Sequence, residues 1–136
     1  MAVGRGNESD GRPGERRTKM SDDTTTVAAL KRVARRFAAE RNWDPYHSPK
    51  NLVMALACEV GELLEPFRWL TEDESRTVVF ADESVRQAVA DELADVMSLL
   101  LQVSLHTGID LSEALRAKMV KNAVKYPPGV SGGTES

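Results

Sequence analysis

Two short carboxylate pairs, each inside an otherwise apolar run, constrain this chain more than any other feature. The first is Glu59 with Glu62, in NLVMALACEVGELLEPFRWL over residues 51–70. The second is Glu92 with Asp95, in VRQAVADELADVMSLLLQVSLH over residues 85–106. An i, i+3 spacing sets both acids of a pair within about 60° on a helix turning about 100° per residue. With Leu52 at the origin of a helical wheel, Leu56, Val60, Leu63 and Phe67 fill the arc to about 80°. Glu59 then lies at about 340° and Glu62 at about 280°. With Val85 at the origin, Val89, Leu93, Val96 and Val103 make the core arc, and Glu92 and Asp95 take the same two angles. The same device occurs twice.

A glutamate pair on a helix is ordinarily a solvated face. That account fits poorly here, because Glu59 and Glu92 sit at the margin of the apolar stripes. An ionised carboxylate left unpaired in such a place costs several kcal/mol, so it calls for a cation or basic partners. Those faces carry no basic residues, and four converging acids suit a hard cation: Mg²⁺ first, with Mn²⁺ as a substitute. The expected fold is all-α, a four-helix bundle around that cation. A di-iron bundle is the rival, but it wants Glu-x-x-His pairs, and Glu62 and Asp95 stand where the histidines belong.

Composition narrows the rest. A chain of 136 residues is enough for one domain with a modest core. A net charge of −3 gives no sign of nucleic-acid or membrane-surface binding. The single cysteine, Cys58, excludes an intramolecular disulfide and fits a reducing compartment. Its place on an apolar helix predicts a packed thiol rather than a nucleophile. No run has the length of a membrane span or the core of a signal peptide, so the cytoplasm is the expected location. Residues 1–23, rich in glycine and charge, are expected to be a disordered tail. Met20-Ser21-Asp22 reads as an alternative translation start. The domain is expected over residues 24–127, with a flexible tail over 128–136.

Along the domain, Thr24–Thr26 can cap a helix reaching about Asn42, with Val27, Leu30, Val33, Ala34 and Phe37 inward. A Pro-broken segment follows, in which Trp43, Tyr46 and His47 suit ligand recognition or a plug over the bundle's end. Ser48-Pro49 opens a second helix running to about Leu70. Gly61 costs it roughly 1 kcal/mol relative to alanine, and close backbone approach beside the metal would account for that. Pro66 is expected to loosen its last turn. Residues 71–83 read as an acidic connector. A third helix runs from about Ser84 to Gly108, and a fourth from a capping box at Asp110 and Glu113 to Tyr126. The fourth turns Leu111, Leu115 and Met119 to the core. Lys118, Asn122 and Lys125 cluster beside that stripe, either to bind phosphate or to complement the helix dipole.

Such a constellation suits attack on a phosphoryl group, with the metal neutralising polyphosphate and a carboxylate positioning or deprotonating water. A nucleophilic triad has no place, since only His47 and His106 exist. The alternative from another class is a non-enzymatic helical interaction module stabilised by metal. A helix-turn-helix reader of DNA is disfavoured by the negative charge.

Glu59-Val60-Gly61-Glu62-Leu63 followed by Asp91-Glu92-Leu93-Ala94-Asp95-Val96 resembles the E-x-x-E … E-x-x-D signature of the MazG-like all-α nucleoside triphosphate pyrophosphohydrolases, the dCTP pyrophosphatase branch above all. The resemblance extends through Phe37–Trp43, Phe67-Arg68-Trp69 and Lys118–Pro127. It implies Mg²⁺-dependent cleavage of a (d)NTP between the α- and β-phosphates, giving a monophosphate and pyrophosphate, with pyrimidine dNTPs such as dCTP expected. It assigns Glu59, Glu62, Glu92 and Asp95 to the metal, and Trp43, His47 and Trp69 to the nucleotide pocket. It also implies a homodimer or homotetramer, in keeping with a second helix apolar nearly all round. Two positions depart from the branch: Ala34 stands where its vertebrate members carry a histidine, and Leu99 where they carry a tyrosine. Both changes remove polar groups from the base pocket.

Overall fold

A computed structural model describes residues 19–129. The expected tails over residues 1–18 and 130–136 lie outside that range. Ser21, within the stretch assigned to the first tail, anchors a turn: its carbonyl accepts from the Thr25 amide at 2.9 Å. Five α-helices follow: α1 Val27–Glu40, α2 Pro49–Leu64, α3 Glu72–Ala81, α4 Glu83–Thr107 and α5 Leu111–Lys125, with a short 3₁₀ turn over Asp44–Tyr46 between α1 and α2. Among the described residues there is no strand.

Local chemistry sets the helix ends. The Thr26 hydroxyl accepts from the Ala29 amide at 3.1 Å to start α1, and the Ser48 hydroxyl from the Asn51 amide at 3.2 Å, ahead of Pro49, to start α2. α2 stops at Leu64, earlier than the sequence pattern predicts. Pro66 has no amide to continue the ladder, and residues 65–70 turn instead, beginning with the Glu65 amide to the Glu62 carbonyl at 3.1 Å. The acidic stretch expected as a connector is mostly α3. Thr71 and Glu74 form a reciprocal capping box at 3.2 and 3.1 Å, and three acids in its first turn favour the positive end of the dipole. Gly108 ends α4 at φ +69°, a left-handed position that glycine takes without a Cβ penalty. Asp110 caps α5 through the Glu113 amide at 2.8 Å.

The long helix α4 is the spine, with α2 along most of it and α1 and α3 beside it. Ala34, Ala38, Leu52 and Leu101 are the buried apolar residues among those described. Gln102 is buried with them and donates its side-chain amide to the Ala34 carbonyl at 2.8 Å, tying α4 to α1. α5 has no extended contact with the other helices. Leu115 and Met119, expected in the core, are therefore open to solvent, and so are Val120 and Val124. Cys58 is likewise exposed rather than packed, on an α2 face where Val53, Met54 and Leu64 are also open. Gly61 faces free space: among the described residues a Cβ there would meet nothing within 4 Å.

Candidate metal and nucleotide site

The α2–α4 pairing brings the acids together. One carboxylate oxygen each from Glu59, Glu62 and Glu92 falls within a 4.8 Å cluster. The wheel angles account for this: Glu59 and Glu92 are half-buried at the edge of their stripes, while Glu62 is exposed. Oε2 of Glu59 and Oε2 of Glu92 are both buried without a hydrogen-bond partner. Burial, followed by the adjacent Glu62 charge, pushes the Glu59 carboxyl from its usual 4.5 up to about 7. The same two causes raise Glu92. Two orphaned buried oxygens beside a third carboxylate are what a hard divalent cation relieves, so the donor set fits Mg²⁺ or Mn²⁺.

Asp95 stands about one turn further along α4. It is outside the tight trio, yet its charge still reaches Glu59 and Glu92. It also borders a cavity of about 410 Å³ between α1 and α4, whose other walls include Ala34, Phe37, Met97, Ser98 and Leu101. Position 34 thus opens into the space beside the acids. Leu99 is half-buried, and it is Ser98, unremarked in the sequence reading, that contributes to the cavity wall.

The aromatic segment after α1 folds over the end of that helix. Trp43 meets Phe37 edge-on, with ring centroids 5.6 Å apart, and His47 lies 6.1 Å beyond Trp43. Asn51 holds the loop by donating to the Tyr46 carbonyl at 3.1 Å. Trp69 lies in the turn after α2, 83% exposed, with the Arg68 guanidinium 4.8 Å above its ring. Lys118, Asn122 and Lys125 ride on α5. Lys118 and Lys125 are exposed, Asn122 half-buried, and the Lys125 ammonium lies 5.3 Å from the Tyr126 ring. Within one chain, α5 does not carry these three to the acids. Asp44 and His106, which the sequence reading gave no role, meet His47 in a second cluster of donor atoms, again within 4.8 Å. Its only advance signal was that His47 and His106 are the sole histidines of the chain.

The chain is similar in sequence and in fold to proteins of known name. Over 109 residues the chain is 37% identical to mouse dCTP pyrophosphatase 1, covering 80% of this chain and 64% of the mouse protein. It is 38% identical over 102 residues to the human dCTP pyrophosphatase 1, covering 75% of this chain and 59% of that protein. It therefore spans less than two thirds of the length of these relatives. A solved pyrophosphatase from Archaeoglobus fulgidus superposes with a TM-score of 0.69 at 37% identity, covering 80% of this chain and 99% of that one. The MazG-like family model matches residues 54–136, the stretch that contains both carboxylate pairs. The chain belongs to the MazG-like family.

Proposed function

We propose that the protein is a nucleoside triphosphate pyrophosphohydrolase that depends on Mg²⁺, with Mn²⁺ able to replace it. It cleaves pyrimidine dNTPs such as dCTP between the α- and β-phosphates. The observation that carries the reading is the trio Glu59, Glu62 and Glu92, with two buried oxygens that lack partners. Relatives named as pyrophosphatases support it. Glu59, Glu62, Glu92 and Asp95 would hold the cation, which supplies neutralisation of the polyphosphate charge. The residues then divide the remaining work. A carboxylate oxygen of the acidic set accepts the proton of the attacking water as the water oxygen bonds to phosphorus. The bridging oxygen between the α- and β-phosphates leaves with pyrophosphate. Trp43 and Trp69 stack on the base, and His47 bonds to the nucleotide. Lys118, Asn122 and Lys125 meet phosphate once α5 is brought to a site, which we assign to assembly of a homodimer or homotetramer in the cytoplasm. The open apolar faces of α2 and α5 support that assembly, since exposed apolar patches mark interaction surfaces.

The test is pyrophosphate release from canonical dNTPs, with and without Mg²⁺, for wild type, Glu62→Gln and Asp95→Asn. Both substitutions keep shape and remove ligand charge, so turnover should fall by orders of magnitude with helicity unchanged. Near-wild-type turnover in either variant would sink the assignment. Retained Mg²⁺ binding without hydrolysis of any dNTP by wild type would favour a metal-stabilised interaction module.

A further inference from the structure

We propose that Asp44, His47 and His106 form a second cation site, separate from the acids and suited to a borderline ion of the Zn²⁺ class. Two of the three come from one turn: Asp44 and His47 bracket the 3₁₀ segment, where the His47 amide donates to the Asp44 carbonyl at 3.1 Å. The third comes from the last turn of α4. One donor atom from each lies within 4.8 Å of the others. His106 and Glu92 are almost four turns apart on α4, about 20 Å along its axis at 1.5 Å per residue. The two clusters therefore cannot share an ion.

The trio does not satisfy itself. Nδ1 of His47 is buried with no hydrogen-bond partner, a state that calls for an explanation in a folded protein. The gap from His106 Nε2 to Asp44 Oδ1 is 4.0 Å, too long for a hydrogen bond. The two imidazoles meet edge to face, with centroids 5.7 Å apart and planes at 83°. Aromatic contact alone would explain the rings but leaves Nδ1 of His47 orphaned.

An ion at the cluster would bond one nitrogen of each imidazole and one oxygen of Asp44. Imidazole nitrogen prefers Zn²⁺ to Mg²⁺, and two histidines with one carboxylate make a three-ligand site whose fourth position stays open. Tetrahedral Zn²⁺ bonds set neighbouring donors about 3.3 Å apart. The trio therefore needs only a small closure, which the largely exposed Asp44 side chain can make. The inference stands whether or not the acids hydrolyse nucleotides, because none of the four acids takes part and it is read by metal binding; it gives His47 a ligand's place in addition to its proposed contact with the nucleotide.

The test uses the full chain with Mg²⁺ in excess to fill the carboxylates, titrated with Co²⁺ as the coloured stand-in for Zn²⁺. The expected result is the intense visible absorption of four-coordinate Co²⁺, saturating at one equivalent and bleached by Zn²⁺, in wild type and equally in Glu62→Gln. In His106→Ala and Asp44→Asn the apparent affinity should fall at least about tenfold, the smaller end of the losses caused even by outer-shell changes. Circular dichroism checks that both variants fold, and Asp44→Asn, altering an exposed side chain, carries the test if His106→Ala does not. Absence of the band in wild type, undiminished affinity in the folded variants, or loss of the band in Glu62→Gln would overturn the proposal.

Discussion

Glu59 on α2 and Glu92 on α4 face each other within the acidic cluster, each with its Oε2 buried and unpartnered. Two helices are held together at a point where their side chains repel. The fold tolerates the conflict only by protonating one acid or admitting a cation. Stability should therefore report on the site.

Without metal, the folded protein holds the Glu59 proton more tightly than the unfolded chain does, at about 7 against 4.5. Between those values the folded state binds more protons, so this group lowers stability as pH rises. The melting temperature of metal-free wild type should fall relative to Glu59→Gln as pH climbs from about 4.5 to about 7, and the difference should level off above. Mg²⁺ should raise the melting temperature of wild type at about pH 8 and have much less effect on Glu59→Gln. A wild-type curve parallel to that of Glu59→Gln throughout would refute this origin of the instability.

The phase of Glu59 and Glu92 was legible because helical periodicity alone fixes it. The length of α2 was not: the apolar pattern runs on through Phe67 and Leu70, while one missing amide at Pro66 ends the helix at Leu64. α3 was hidden by its acids, which read as solvated connector although Thr71 and Glu74 spell a capping box. The apolar stripe on α5 was expected to face the core, but Leu115 and Met119 are open, because a stripe does not say whether its partner lies in the same chain. The Asp44–His106 approach joins residues distant in sequence, and no local pattern encodes it.

Gln102 and Ala34 provide a second handle on the fold. Gln102 is 5% exposed and reaches across to the Ala34 carbonyl at 2.8 Å. Gln102→Ala removes that bond and leaves unfilled space between α1 and α4, at a cost of about 1–3 kcal/mol. Urea unfolding measures it. A loss below about half a kcal/mol would mean that α1 is held by its apolar contacts alone.

Gly61 offers the opposite sign. A methyl group there meets nothing within 4 Å, and alanine in a helix interior is favoured over glycine by about 0.5–1 kcal/mol. Gly61→Ala should raise the unfolding free energy by that amount while keeping turnover. A lower melting temperature would instead place another subunit's backbone against this glycine.

Base choice is the sharpest question for the nucleotide reading. Trp43 is 44% exposed and Trp69 83%, far more open than core filling requires. Stacking on a base contributes roughly 1–3 kcal/mol and is tolerant of base identity. Discrimination needs hydrogen bonds at the base edge, where a missing partner costs far more than a missing methylene. The cavity beside Asp95 offers mainly apolar walls, with Ala34, Phe37, Met97 and Leu101 outweighing the single hydroxyl of Ser98. The expected profile is a preference for pyrimidine dNTPs by size, with kcat/KM for dCTP exceeding that for dTTP and dUTP by less than about a hundredfold. Trp69→Ala should lower kcat/KM for all of them by similar factors, because stacking is lost for each. A dCTP preference above about a hundredfold over every other base would mean that polar groups outside this cavity read the base edge.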